Sequence, residues 1–231
     1  MVDDGFVVAA LSGMVSQRRL SRIEEVVAQR MKYITVVLED IYQSQNASAV
    51  LRTCECFGGQ DVHVIENRNI YNINPMVVQG SDKWLTVHRY NQSEDNSNEA
   101  VKRLKAEGYR IVATSLDQNS ISLDDFDVTK GKCAIVFGNE HQGVSPCVLE
   151  QADQLLNISM CGFTQSLNIS VSVGVVVSEL TRRIKREVEG WQLSEAEKEN
   201  LCAEWLRRSV KNPQMIINHL IENRNELHSY R

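Results

Sequence analysis

Six short runs rich in β-branched residues, at 34–38, 61–65, 85–88, 110–114, 132–137 and 154–158, constrain this chain more than any other feature. Helical patterns follow Asn46, Asn98 and Ser145, and a long one starts near Ser166. Strands that alternate with helices predict an α/β fold, a parallel sheet with helices on both faces. Residues 33–178 form this predicted domain. Before it, residues 1–32 read as a helical extension, with Ser21 and Glu24 in capping-box spacing ahead of Val26 and Val27. After it, residues 179–231 read as helices only: Ser194 and Glu197 repeat that spacing, and Asn212 followed by Pro213 opens a final run.

Sheets of this class bind ligands beyond the carboxyl ends of their strands. No G-x-G-x-x-G turn follows any of these strands, and no G-x-x-x-x-G-K-[ST] occurs, which argues against a conventional dinucleotide fold or a phosphate loop. H-E-x-x-H, zinc spacings and G-x-S-x-G are missing too, so no metal is expected. The six cysteines include no C-x-x-C pair, and Cys54-Glu55-Cys56 lies in a helical pattern, where core packing is the expected role. No apolar run reaches the roughly 18 residues that span a bilayer, and no secretory signal is evident. Reduced thiols in the cytoplasm are therefore expected. The net charge of −5 opposes a nucleic-acid partner only as a sum. Five basic residues stand against two acidic ones between Arg18 and Lys32, and Arg182, Arg183, Lys185 and Arg186 form a second cluster. Each cluster alone could equally be a solvated helix face.

Three segments carry the chemistry. In the first, Asn46-Ala-Ser-Ala-Val-Leu-Arg52-Thr, Asn46 is a candidate N-cap, and Arg52 projects from an otherwise small and apolar helix. Such an arginine must reach water, an anion or a partner subunit, because burying it unpaired is costly. In the second, Phe137-Gly138-Asn-Glu140-His-Gln-Gly143, two glycines make a tight turn at a strand's carboxyl end. The third runs Ile158-Ser-Met160-Cys-Gly162-Phe-Thr-Gln-Ser166-Leu167-Asn168-Ile-Ser-Val and leads into a helix dense in Ser, Val and Gly. That helix is a poor intrinsic former, and its small apolar surface suits close packing against another backbone.

Taken in order, N-x-S-A-x-L-R-T, G-N-E-x-x-G and I-x-M-x-G-x-x-Q-S-L-N-x-S-V resemble the three signature motifs of the TrmH/SpoU family of RNA 2′-O-methyltransferases, in the knotted SPOUT class. The resemblance covers about residues 20–180. Gln45, where relatives often carry histidine, and Cys161-Gly162-Phe163 depart from the pattern. The resemblance implies an α/β domain with a C-terminal trefoil knot, a homodimer packed through the knot, and RNA lying across both subunits. It implies S-adenosylmethionine held by Thr114, Gly138, Ile158 and Leu167, with Met160 and Gly162 nearby. Arg52 matches the family's catalytic arginine; Asn46 and Asn168 would hold Arg52 or the ribose, Ser166 would order the loop, and Glu140 would offset the cationic centre. Lys83, in Gly-Ser-Asp-Lys-Trp, resembles an element on the RNA side. Arg18, Arg19, Arg22, Arg182, Arg183 and Arg186 are the expected phosphate contacts. The helical extensions best resemble family members that methylate guanosine 18 of tRNA. Ribosomal RNA, another tRNA position and a non-catalytic RNA-binding factor on the same scaffold are the alternatives.

Overall fold

The computed structural model describes the backbone of residues 3–229 and the side chains of residues 3–222. The extreme ends of the two expected helical extensions lie outside the described residues. The chain forms two compact units: one is Met31–Trp191, and the other joins the segment up to Arg30 with the segment from Gln192 onward.

The larger unit is built on a wholly parallel sheet of seven strands. In chain order these are β1 (Ile34–Glu39), β2 (Asp61–Ile65), β3 (Thr86–Tyr90), β4 (Arg110–Thr114), β5 (Ile121–Ser122), β6 (Cys133–Phe137) and β7 (Gln154–Asn157). Their spatial order is β3-β2-β1-β6-β4-β7-β5. All six expected strands form; β5 was not anticipated, because two residues carry no readable alternation.

Every residue of β1, β2 and β6 is buried, as a parallel sheet covered on both faces requires. On one face Val36, Leu38, Val62 and Val64 pack with Val50 and Leu51 of α3 (Ser44–Phe57) and Val173, Val176 and Leu180 of α7 (Ile169–Glu187). On the other, Val37, Ile65, Ala113 and Val136 pack with Ala100, Val101 and Leu104 of α5 (Asn96–Ala106) and Val148 of α6 (Pro146–Gln151). A short helix, α4 (Pro75–Val78), lies against α3.

Several helix starts differ from expectation. The N-cap of α3 is Gln43, so Asn46 sits inside the first turn with its side chain buried. Asp95 caps α5, and Asn168 rather than Ser166 caps α7. Helix α7 also runs through the expected boundary at 178 to Glu187. Its β-branched residues oppose helix formation locally, and burial of Val173, Val176, Val177, Leu180 and Ile184 along one face overrides that preference.

The smaller unit holds α1 (Asp4–Ser12), α2 (Gln17–Val27), α8 (Glu195–Ser209) and α9 (Pro213–Ser229). Ser16 caps α2, leaving the expected Ser21–Glu24 box within the helix. The Ser194–Glu197 box forms as expected, with the Glu197 N–H donating to Ser194 Oγ at 3.3 Å. Arg30 is 1% exposed, with its guanidinium 5.1 Å from the Trp205 ring centroid, so it leaves the expected basic surface. Among the described residues no helix is long and apolar enough to cross a membrane.

Candidate active site

At the carboxyl ends of the adjacent strands β2, β1 and β6, three loops are tied together by one residue that the sequence did not single out. Asp40, directly after β1, has a left-handed backbone (φ 54°), which costs about 1–2 kcal/mol for a residue with a Cβ. Its Oδ1 accepts three successive backbone N–H groups, from Asn67 at 2.8 Å, Arg68 at 2.8 Å and Asn69 at 3.2 Å. Its carbonyl accepts the side-chain amides of Asn69 and Asn139, both at 2.8 Å. The neighbouring Glu39 is 2% exposed and accepts from Ser97 Oγ, Ser145 Oγ and the Ser145 N–H, anchoring the start of α6. Two consecutive carboxylates at a strand's carboxyl end were the available signal for both residues.

The turn 138–143 closes on itself through mutual Asn139 and Gly143 backbone hydrogen bonds of 3.0 and 2.9 Å. A Cβ on Gly138 would lie 2.0 Å from the Gly143 carbonyl carbon, so only glycine fits there. The turn thereby holds Glu140 against α3. Glu140 Oε1 accepts from Asn46 Nδ2 at 2.8 Å, and Oε2 accepts from the Tyr42 N–H at 3.1 Å. Partial burial pushes the Glu140 carboxyl up, but these hydrogen bonds outweigh it and hold the group below the ordinary glutamate value. It is therefore a carboxylate at neutral pH, able only to accept. That fixes the Asn46 amide: its nitrogen faces Glu140, and its oxygen accepts from Asn168 Nδ2 at 3.2 Å. The Asn168 oxygen in turn takes the Ser170 N–H at 2.9 Å and caps α7. Asn46, Glu140 and Asn168, one from each motif, thus form a single oriented chain.

Arg52 does not join it. It follows Asn46 by six residues, about 240° around a helix of 3.6 residues per turn, and it is exposed. It borders an open depression of about 330 Å³ lined by Ala49, Thr53, Cys56, Phe57 and Val77. The Arg52 side chain has no hydrogen bond or ion pair among the described residues. Asn46 and Asn168, expected to hold Arg52 or the ribose, do not reach Arg52 within one chain, and Glu140 holds Asn46 and Tyr42.

Of the expected donor-binding residues, Gly138, Thr114 and Ile158 lie at the ends of the neighbouring strands β6, β4 and β7. Gly138 follows β6, and Thr114 closes β4 with Oγ1 donating to the Val136 carbonyl at 3.0 Å. Ile158 follows β7, packed on the core. Residues 159–168, including Met160, Gly162, Ser166 and Leu167, are all exposed, and Phe163 is wholly so. Ser166 makes no hydrogen bond among the described residues. Among the expected RNA contacts, Arg18, Arg19 and Arg22 are exposed on α2 and Lys83 on the turn Ser81–Trp84. Arg182 is exposed but paired with Glu179 at 2.8 Å, and Arg186 is paired with Glu187. Arg183 is a correction. Its side chain is mostly buried, donates to the carbonyls of Leu123 and Asp124, and pairs with Glu187, so it braces α7 internally.

A family profile described as the SpoU rRNA Methylase family matches residues 33–178. The tRNA (guanosine(18)-2′-O)-methyltransferase of Borreliella burgdorferi is 46% identical over 211 residues, 91% of this chain and 94% of that enzyme. The enzyme of the same name from Aquifex aeolicus is 34% identical over 203 residues, 85% of this chain and 92% of that enzyme. The crystal structure of the A. aeolicus TrmH/SpoU tRNA modifying enzyme superposes with a TM-score of 0.74 at 31% identity, covering 85% of this chain and 98% of that one. The matched segment contains the turn 138–143 and the start of α7, and on these grounds the chain belongs to the SpoU methylase family.

Proposed function

We propose that this chain methylates the ribose 2′-hydroxyl of guanosine 18 in tRNA, with S-adenosylmethionine as the methyl donor. The observation that carries the reading is the reach of the similarity. The Borreliella enzyme matches over 211 residues, well beyond the 33–178 segment common to the family and into the terminal helices.

The residues at β6, β4 and β7 fit the donor. The bare backbone of Gly138, the half-exposed Thr114 and the apolar side chains of Ile158, Met160 and Leu167 suit an adenosyl group, and none of them forms a phosphate loop. When bound, the donor supplies a methyl group on a positively charged sulfur. The chain's own task is then to position the ribose and steady the charge. The Arg52 guanidinium offers five N–H donors in a planar fork and no acceptor. It is assigned to fork onto the adjacent phosphate and align the hydroxyl oxygen. Asn46 and Asn168 are assigned to orient the ribose under the hold of Glu140, and Ser166 to order its loop when the donor binds.

The same reading includes a homodimer and a trefoil knot in the path from β7 into α7. Exposed Phe57 on α3, exposed Val171 and Val175 on one face of α7, and bare Phe163 support a second copy seated there. RNA would contact Arg18, Arg19, Arg22, Lys83, Arg182 and Arg186, and the setting would be the cytoplasm. The test is to incubate the protein with tritiated S-adenosylmethionine and total RNA, then map the label. Label confined to guanosine 18 of tRNA is expected. Label in ribosomal RNA or at another tRNA position would overturn the substrate, and no label would overturn the activity.

A further inference from the structure

Beside the Asn46–Glu140–Asn168 chain stand three side chains to which neither the core nor the methyl-donor region gives a role. Tyr42 is 67% exposed, yet its own N–H is pinned to Glu140 Oε2 at 3.1 Å. His141 follows Glu140 directly and is exposed, and its N–H donates to Asn139 Oδ1 at 2.9 Å. The two exposed rings lie 6.4 Å apart between centroids with their planes inclined at 60°. Arg68 is exposed on the loop gathered by Asp40. Its guanidinium donates only to Gln142 Oε1, at 3.3 Å, with no carboxylate partner among the described residues. A rigid backbone thus presents two aromatic rings and one cation next to the polar chain of the site.

We propose that Tyr42 and His141 receive the unstacked base of the nucleotide being methylated, and that Arg68 binds a neighbouring phosphate. Aromatic rings stack on any base face, and arginine adds the charge that a nucleic-acid strand requires. The proposal rests on the reading of the chain as an RNA 2′-O-methyltransferase and specifies how that site grips its substrate.

Steady-state methyl transfer to tRNA tests it, with wild type, Tyr42→Ala, Tyr42→Phe and Arg68→Gln compared. Stacking contributes about 1–3 kcal/mol per base, so Tyr42→Ala is expected to raise KM for tRNA roughly 5- to 150-fold. Tyr42→Phe is expected to stay within about twofold, and Arg68→Gln to lower the salt dependence of tRNA binding by about one counterion. Calorimetric affinity for S-adenosylmethionine should be unchanged in all three, which separates substrate grip from misfolding. A tRNA lacking the base at the modified nucleotide should bind wild type more weakly but lose little further on Tyr42→Ala. An unchanged KM in Tyr42→Ala, or equal losses in Tyr42→Phe, would overturn the stacking role. An unchanged salt slope in Arg68→Gln would overturn the phosphate contact. Wild type inert on every RNA would instead sink the methyltransferase reading itself.

Discussion

Asp40 ties three loops together beside the Asn46–Glu140–Asn168 chain. It sits in a backbone region that most side chains avoid, and five hydrogen bonds from two other loops converge on it. Asp40→Ala is expected to destabilise the fold by about 2–3 kcal/mol in urea unfolding, from lost bonds to a charged acceptor. Asp40→Asn should recover most of that, because Asn tolerates the left-handed region and keeps an acceptor oxygen. Equal losses in both variants would place the effect in the charge alone. His63 offers a separate check. Burial, then the nearby His88, push its pKa down to about 3, and its Nδ1 lies 2.9 Å from Tyr90 Oη. The folded protein holds His63 neutral, whereas the unfolded chain protonates it below about pH 6.5. Stability from this group is therefore complete above pH 6.5 and falls by about 1.4 kcal/mol per unit as pH drops towards 3. His63→Gln is expected to flatten that part of the pH–stability curve; an unaltered slope would contradict it. Beyond the paired carboxylates that mark Asp40, neither role was legible in the sequence, since a positive φ and a neutral buried histidine depend on what folds around them. Asn46, Glu140 and Asn168 were legible because their spacing survives as a written pattern.

At the scale of elements, strands were read more accurately than helix starts. Strands β1, β2 and β6 are buried on both faces, and β-branched runs mark them, unbroken and apolar in β6 and interrupted by His63 in β2. The start of α3 was misplaced because a polar residue good at capping had another task, and that of α7 because a better-placed cap lay two residues on. Asn46 looks like an N-cap, yet Glu140 and Asn168 claim its side chain, and Gln43 takes the start of α3 with no side-chain cap bond. Ser166 lost its start to Asn168, whose oxygen reaches the Ser170 N–H. Helix α7 itself depends on its buried stripe, while Val171 and Val175, four residues apart, leave an apolar edge in solvent. Val171→Glu with Val175→Glu is expected to leave far-UV helicity intact but to halve the mass by analytical ultracentrifugation. A wild-type protein already monomeric, or an undisturbed dimer in the double variant, would remove α7 from the subunit contact.

For the whole molecule, alternation of strand and helix made the α/β class legible, but not the spatial order of the strands. Adjacency of β1 with β6 comes from long-range packing: residues about a hundred apart pair in register, Val36 with Ile135 and Val37 with Val136. The joining of the segment up to Arg30 with the segment from Gln192 onward was equally hidden, because each alone reads as ordinary helices. The separation of Arg52 from the Asn46–Glu140–Asn168 chain appears only in three dimensions, and it makes that arginine the sharpest point of the account. The deciding measurement is single-turnover methyl transfer to tRNA by Arg52→Ala, run beside calorimetric binding of S-adenosylmethionine. A fall in rate of at least about a hundredfold, the scale of losing one preorganised donor, with cofactor affinity unchanged, is the expected result. Wild-type turnover in Arg52→Ala would contradict the account.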